Sequence, residues 1–184
     1  MGEPSISVME LLVRFRVALG WVFAPLVLIL ANPSSESILI GTLVGLVGEF
    51  IRIWAAGHLN KAREVTSSGP YRFFRHPLYV GSSVMGAGLA IASANPIAAA
   101  LVALYLGVTL RAAIRNEEAF LRRAFGEQYH RYRSERVVDR ERRFSFANAM
   151  GNKEYRALLG LVVAMLLLVL KASYNGTFWR AAGP

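Results

Sequence analysis

Apolar positions in this chain come in five long runs, at about residues 13–31, 38–56, 78–94, 96–110 and 157–172, with short polar segments between them. Each run approaches the roughly 20 residues that a helix needs to cross a bilayer. Asn32-Pro33-Ser34-Ser35 breaks the first run from the second, and Ser93-Ala94-Asn95-Pro96 leaves room only for a hairpin between the third and fourth. The pattern predicts an all-α, polytopic transmembrane helical bundle of about five spans, folded as a single integral membrane domain over residues 1–184. Beyond the fourth run, Arg111, Arg115, Glu117, Glu118, Phe120, Leu121, Phe125 and Gly126 read as an amphipathic continuation that ends at a glycine cap. The fifth run is just long enough to span, or to lie at the interface, within a C-terminal extension covering 143–184.

The second run carries charge. Gly41, Gly45, Glu49 and Arg52 follow at steps of four, four and three, so they share one helix face. Small residues at this spacing let helices approach closely. Charges inside a span face the bundle interior and find partners, so Glu49 and Arg52 are expected to pair, as a structural lock or beside an active site.

Composition agrees with the pattern. Apolar residues make up 54% of the chain and charged residues 18%, with mean hydropathy +0.38, which excludes an ordinary soluble domain. The first run lacks a small-residue cleavage pattern and is expected to be a span, not a secretory signal. The net charge of +9 is concentrated between runs. The segments after runs two and four are basic, whereas those after runs one and three hold no Lys or Arg. This places the N-terminus and both basic segments on the cytoplasmic side of a bacterial inner or ER-type membrane, facing anionic lipid headgroups, with no nucleic-acid partner. The arginine run over 131–143 reads as headgroup-facing, and Trp179 suits the interface. The absence of cysteine excludes disulfides, thiolate metal sites and a cysteine nucleophile.

Candidate chemistry centres on residues 67–81. Gly69-Pro70 signals a turn, and His76 before Pro77 is biased out of the helical region, so Tyr71, Arg72, Arg75, His76 and Tyr79 crowd an irregular segment. Hairpin closure sets Pro77-Leu78 level with Arg111-Ala112, which brings Arg75, His76 and Tyr79 towards Arg115, Glu117 and Glu118. That set offers donors for a carboxylate and acceptors for an ammonium or a ribose diol, and suits a zwitterionic, nucleotide-like cofactor. Gly81, Gly86 and Gly88 permit close approach of a ligand or another helix. No second histidine or carboxylate stands at ligand spacing around His76, so no metal site is expected. A basic loop serving only to orient the protein is the plainer reading of the same residues.

The segment Ser68-Gly69-Pro70-Tyr71-Arg72-Phe73-Phe74-Arg75-His76-Pro77-Leu78-Tyr79-Val80-Gly81 resembles the signature of the isoprenylcysteine carboxyl methyltransferase family, among the phospholipid methyltransferase-like membrane enzymes. Glu117-Glu118, Leu121, Phe125-Gly126, Tyr129 and Tyr132 resemble its second block, and Arg52-x-Trp54-Ala55 is similar to family members too. Together the matches cover about residues 52–136. The resemblance implies a helical membrane enzyme that transfers a methyl group from S-adenosyl-L-methionine to a lipophilic acceptor. It implies cofactor contacts at Arg63, Glu64, Val65, Thr66, Tyr71, His76, Pro77, Leu78, Tyr79, Gly81, Glu117 and Glu118, with Arg75, His76, Tyr79 and Glu117 closest to the chemistry. A basic substrate residue is implied one turn before Glu117. Arg111 and Arg115 are candidates, while the position matching by count is Ala113. No proline stands in 137–141, where the family has one, so acceptor identity does not carry over. A prenylated protein C-terminus, a lipid amine and a lipid carboxylate stay open. A sterol-type NADPH reductase shares the His-Pro-x-Tyr element, but has an acidic residue where Ser82 stands here. A non-enzymatic membrane scaffold is the other alternative. Oligomeric state is unread.

Overall fold

The computed structural model describes residues 8–60, 65–135 and 142–178. The elements are α1 (Val8–Leu30), α2 (Ser35–His58), a single 3-10 turn (Gly69–Arg72), α3 (Pro77–Ser93), α4 (Pro96–Glu135), α5 (Phe146–Gly151) and α6 (Tyr155–Tyr174). Local chemistry sets the ends. Ser34 and Ser37 form a reciprocal capping box at the start of α2. Pro77 and Pro96 open α3 and α4, where a missing N–H is harmless. Asn95 Oδ1 accepts from the amides of Ile97 and Ala98 at 2.9 and 3.0 Å, and Ala94 takes a left-handed φ of 46° to close the hairpin.

α2 and α3 make the most extensive contact, and the other helices are laid around them. α4 packs on α3, with α1 beyond it, around buried Val27, Ala98 and Val102. α6 crosses the opposite side, and its Leu161, Met165, Leu168 and Ala172 close a core with Ala31, Ile38 and Ala92. Far from the basic segments, Lys171 Nζ donates to the carbonyls of Leu28 and Ile29 at 2.6 Å, and Thr177 Oγ1 donates to that of Pro33 at 2.7 Å.

Among the described residues, three helices are long and apolar enough to cross a membrane: α2, the Pro96–Tyr132 part of α4, and α6. The apolar parts over Ala18–Leu30 and Pro77–Ser93 are shorter. At 17 residues α3 is roughly 26 Å long, close to the hydrocarbon thickness. The bundle is all-helical and membrane-type as expected, with three of five expected spans meeting the full length.

Two expectations change. Gly126 does not end its helix: it kinks α4, with φ 39° and ψ −110°, and the chain resumes as a helix to Glu135. Glu49 and Arg52 are not a self-contained pair either. Glu49 Oε2 lies 3.8 Å from Arg52 Nε, whereas Glu154 Oε1, at the junction of α5 and α6, lies 2.5 Å away. Lys61, Arg63, Glu64, residues 136–141 of the arginine run, and Trp179 lie outside the described residues.

The α2–α3 contact is backbone on backbone. A β-carbon at Gly48 would lie 2.5 Å from the amide nitrogen of Met85 and 2.7 Å from the carbonyl oxygen of Gly81; one at Gly88 would lie 2.5 Å from the carbonyl of Gly41. Neither neighbour can rotate away, so Gly48→Ala should destabilise by about 1–3 kcal/mol, as overpacking does. Gly160→Ala on α6, where nothing stands within 4 Å, should be neutral or slightly stabilising. Thermal midpoints of the two variants in one detergent test this ordering.

Candidate active site

The segment ahead of α3 is built on the end of α2. Gly69 has φ +56°, and a β-carbon there would lie 2.6 Å from the His58 ring, so only glycine fits the turn. His58 is itself buried, its Nδ1 3.0 Å from the carbonyl of Trp54, to which it donates. The turn that follows buries Pro70 and Tyr71. Tyr132, beyond the α4 kink, donates its hydroxyl to the Tyr71 carbonyl at 2.9 Å. Thr66 is buried, and its Oγ1 accepts from the Asn60 amide at 3.4 Å. Ser68 Oγ is buried with no hydrogen-bond partner among the described residues.

His76 precedes Pro77 with an extended-side φ of −132°, which aims its ring across to α4. Nδ1 lies 3.6 Å from Glu117 Oε2, and Nε2 3.4 Å from Glu118 Oε1. One imidazole thus bridges two adjacent carboxylates, with the Tyr79 ring 5.8 Å from its own. Arg122 Nη2 stands 3.6 Å from the other oxygen of Glu118. Burial pulls the His76 imidazole down, but hydrogen bonds and charge from Glu117 and Glu118 outweigh it and hold the ring above its ordinary value. Burial, then the nearby Glu117, pushes the Tyr71 phenol up, so Tyr71 is a neutral hydroxyl in this site.

His76 and Tyr79 also line a groove of about 1010 Å³ between α3 and α4. Its walls are apolar and small, including Gly86, Ala87, Ala90, Ala99 and Ala103. From Leu110 to Ala99 it runs roughly 16 Å along α4, at the helical rise. At its polar end stand Arg75, Arg111 and Arg115, all exposed, and no acidic side chain lines it.

The structure therefore brings together Tyr71, His76, Tyr79, Glu117 and Glu118, and sets Arg75, Arg111 and Arg115 at the groove mouth. Pro77 is buried beneath, and the Leu78 carbonyl accepts from Ser82 Oγ at 3.0 Å. Val65 and Thr66 lead into the turn. Gly81 sits apart from these residues: a β-carbon there would meet Arg52 Cγ at 2.5 Å and the Gly48 carbonyl at 2.6 Å, so it serves helix packing. Ala113 is buried on α4, while Arg111 and Arg115 line the groove. Sequence reasoning passed over His58 and Ser68; a histidine at the last turn of a span and a serine before Gly-Pro were the available signals. It also passed over Glu154, for which no local signal exists. Among the described residues, no three His, Cys, Asp or Glu side chains gather as a metal ion requires.

The phospholipid methyltransferase family matches residues 36–128. The nickel-cobalt-cadmium resistance protein NccN of Alcaligenes xylosoxydans xylosoxydans is 35% identical over 91 residues, covering 48% of this chain and 41% of that protein. A probable protein-S-isoprenylcysteine O-methyltransferase of Oryza sativa subsp. indica is 29% identical over 150 residues, covering 71% of this chain and 78% of that one. Protein-S-isoprenylcysteine O-methyltransferase A of Arabidopsis thaliana is 34% identical over 104 residues, covering 50% and 53%. The chain thus spans less than half of the first of these proteins and about half of the third. No solved structure matches it.

The raised His76 value fixes the sign of a pH effect. A histidine whose folded value lies above its unfolded one contributes stability that is complete below the unfolded value, about 6.5, and is lost as pH rises through the folded value. Wild type should therefore exceed His76→Gln in thermal midpoint most clearly below about pH 6.5, and the gap should narrow as pH rises. A gap that widens with pH would contradict the bridged imidazole.

Proposed function

We propose that this chain, which belongs to the phospholipid methyltransferase family, is an integral membrane methyltransferase that takes its methyl group from S-adenosylmethionine and delivers it to a lipophilic acceptor. The observation that carries the proposal is the His76–Glu117–Glu118 bridge at the polar end of an apolar groove. Polar groups of both kinds meet a lipid-sized channel there, which is what a donor nucleoside and a greasy acceptor jointly require.

The residues present fit such a donor. Glu117 and Glu118 offer carboxylates to an ammonium and a ribose diol, Tyr71 and Tyr79 offer aromatic faces and hydroxyls, and Ser68 Oγ is a buried polar atom with no described partner. Val65, Thr66, His76, Pro77 and Leu78 complete the proposed wall, with Arg63 and Glu64 expected beside them. When bound, S-adenosylmethionine supplies a methyl group already made electrophilic by its sulfonium. The protein's task is alignment and exclusion of water. Half-exposed Glu117 and Glu118 can exchange His76 for a ligand at small cost, because partly solvated ion pairs are weak.

On the acceptor side, the apolar walls hold a tail, and Arg75, Arg111 and Arg115 face its head. Three guanidiniums and no carboxylate in the lining favour a carboxylate head over an ammonium. A carboxylate needs no general base, which accords with a site that places no free base in the groove. The same end of the molecule gathers exposed Arg72, Arg122, Arg123 and Arg143 with exposed Phe73 and Phe74, which supports a cytoplasmic, headgroup-level position for this face.

Glu117→Ala should weaken S-adenosylhomocysteine binding at least about tenfold by calorimetry, the scale of a lost charge-assisted hydrogen bond, while NADPH gives no heat with wild type. Unchanged affinity removes Glu117 from the donor site; NADPH binding instead supports a reductase. With labelled donor and a lipid extract, Arg111→Gln combined with Arg115→Gln should raise the apparent KM for the acceptor by about tenfold and change kcat little, as loss of uniform binding does.

A further inference from the structure

A second set of charges lies behind the site, inside the bundle. Arg52 extends from α2 past Gly81, whose missing β-carbon leaves room for the arginine Cγ. Its Nη1 donates to the Leu78 carbonyl at 3.4 Å and to Ser82 Oγ, both in the first turns of α3. That part of α3 directly follows His76, whose carbonyl accepts from the Tyr79 and Val80 amides at 3.0 and 3.1 Å. On its other edge Arg52 Nε faces Glu154 Oε1 at 2.5 Å and Glu49 Oε2 at 3.8 Å. Both carboxylates are buried, and Arg52 is the one cation that the described ion pairs place on them.

Glu154 comes from outside the family-matched stretch, which ends at residue 128. It sits where α5 turns into α6, on a segment pinned to the end of α2. Asn152 Nδ2 donates to the carbonyls of Ala56 and Leu59 at 3.0 and 3.1 Å, and the Ser145 amide donates to that of Gly57 at 3.0 Å. Phe144 packs against Gly57 and lies 6.0 Å from the His58 ring, which supports Gly69. The extension thus reaches the site's frame by two routes, through Arg52 to α3 and through His58 to the turn.

We propose that Arg52 is a positioning residue for the methyl-transfer site, and that the C-terminal extension sets its position through Glu154. A guanidinium can bond carbonyl, hydroxyl and carboxylate at once in one plane, so fixing its acidic edge fixes where its other edge holds α3. The extension is on this account a working part of the enzyme, not an added anchor. The inference rests on reading the His76–Tyr79 end of α3 as the donor-binding wall.

The test uses the full chain in nanodiscs. Glu154→Gln is nearly isosteric and keeps Arg52 paired with Glu49, so the fold should survive; Arg52→Leu, which strands two buried carboxylates, should not be used. Glu154→Gln should speed hydrogen exchange over residues 78–82 and weaken S-adenosylhomocysteine binding, each by about tenfold. Glu154→Asp should recover most of both, and Arg52→Lys with Glu154→Gln together should be no worse than Arg52→Lys alone. Leu168→Ala, in the apolar α6 cluster, should lower the thermal midpoint and move neither readout. The proposal is overturned if Glu154→Gln changes exchange at 78–82 no more than Leu168→Ala does, if its effect adds fully to that of Arg52→Lys, or if exchange changes while affinity holds. Wild type failing to bind S-adenosylhomocysteine would sink the methyltransferase reading, and the exchange comparison alone would then decide the positioning role.

Discussion

The rest of the structure depends on how closely α2 and α3 approach. In a bilayer there is no hydrophobic gain in bringing two apolar helices together, because lipid tails are equally apolar. Association rests on close packing and on polar groups that need each other. Here Gly41 and Gly48 meet Gly88 and Gly81 with carbonyls directly against the opposing backbone. That distance is what allows an arginine rooted on α2 to bond the Leu78 carbonyl of α3. With one more methyl group at Gly81, Arg52 loses its path and α3 its anchor. The hairpin then carries the position of α3 to α4, so that His76 and the Glu117–Glu118 pair arrive face to face.

Much of this was legible because membrane proteins write their architecture in long apolar runs. The hairpin was readable from Ser93 to Pro96, since four residues permit nothing else, and it predicted the meeting of His76 with Glu117 and Glu118 before any coordinate. The small-residue face of α2 was readable too, though Gly45 serves α6 as well, against Leu161. Gly126 was misread because a glycine with positive φ fits a cap and a kink equally well; the Tyr132 hydroxyl on the Tyr71 carbonyl, which uses the helix beyond it, decides for the kink. Glu154 was unreadable in principle. An acidic residue in a polar stretch before an apolar run looks solvated, and only the folded chain shows it buried against Arg52. Gly81 was placed with the cofactor because it ends the family-like block, whereas its neighbours show that the block ends in a packing residue.

The two charge clusters differ in burial, and that difference assigns them different work. Arg52, Glu49 and Glu154 are largely buried, so breaking one contact would strand a charge in a medium that solvates it poorly. Such a cluster resists rearrangement and suits a frame. His76, Glu117, Glu118 and Arg122 are partly open to solvent, their contacts are 3.4–3.6 Å long, and each partner has water as an alternative. Such a cluster can trade partners when a ligand enters. A site that must bind and release a polar donor at every turnover needs the second kind, held in place by the first. The chain sets them on opposite sides of a single turn of α3, between Ser82, which Arg52 holds, and His76, which meets α4. Rigidity and exchange are thereby separated by one turn of helix, and the short polar stretch before α3 can change its partners while the bundle that presents it does not move.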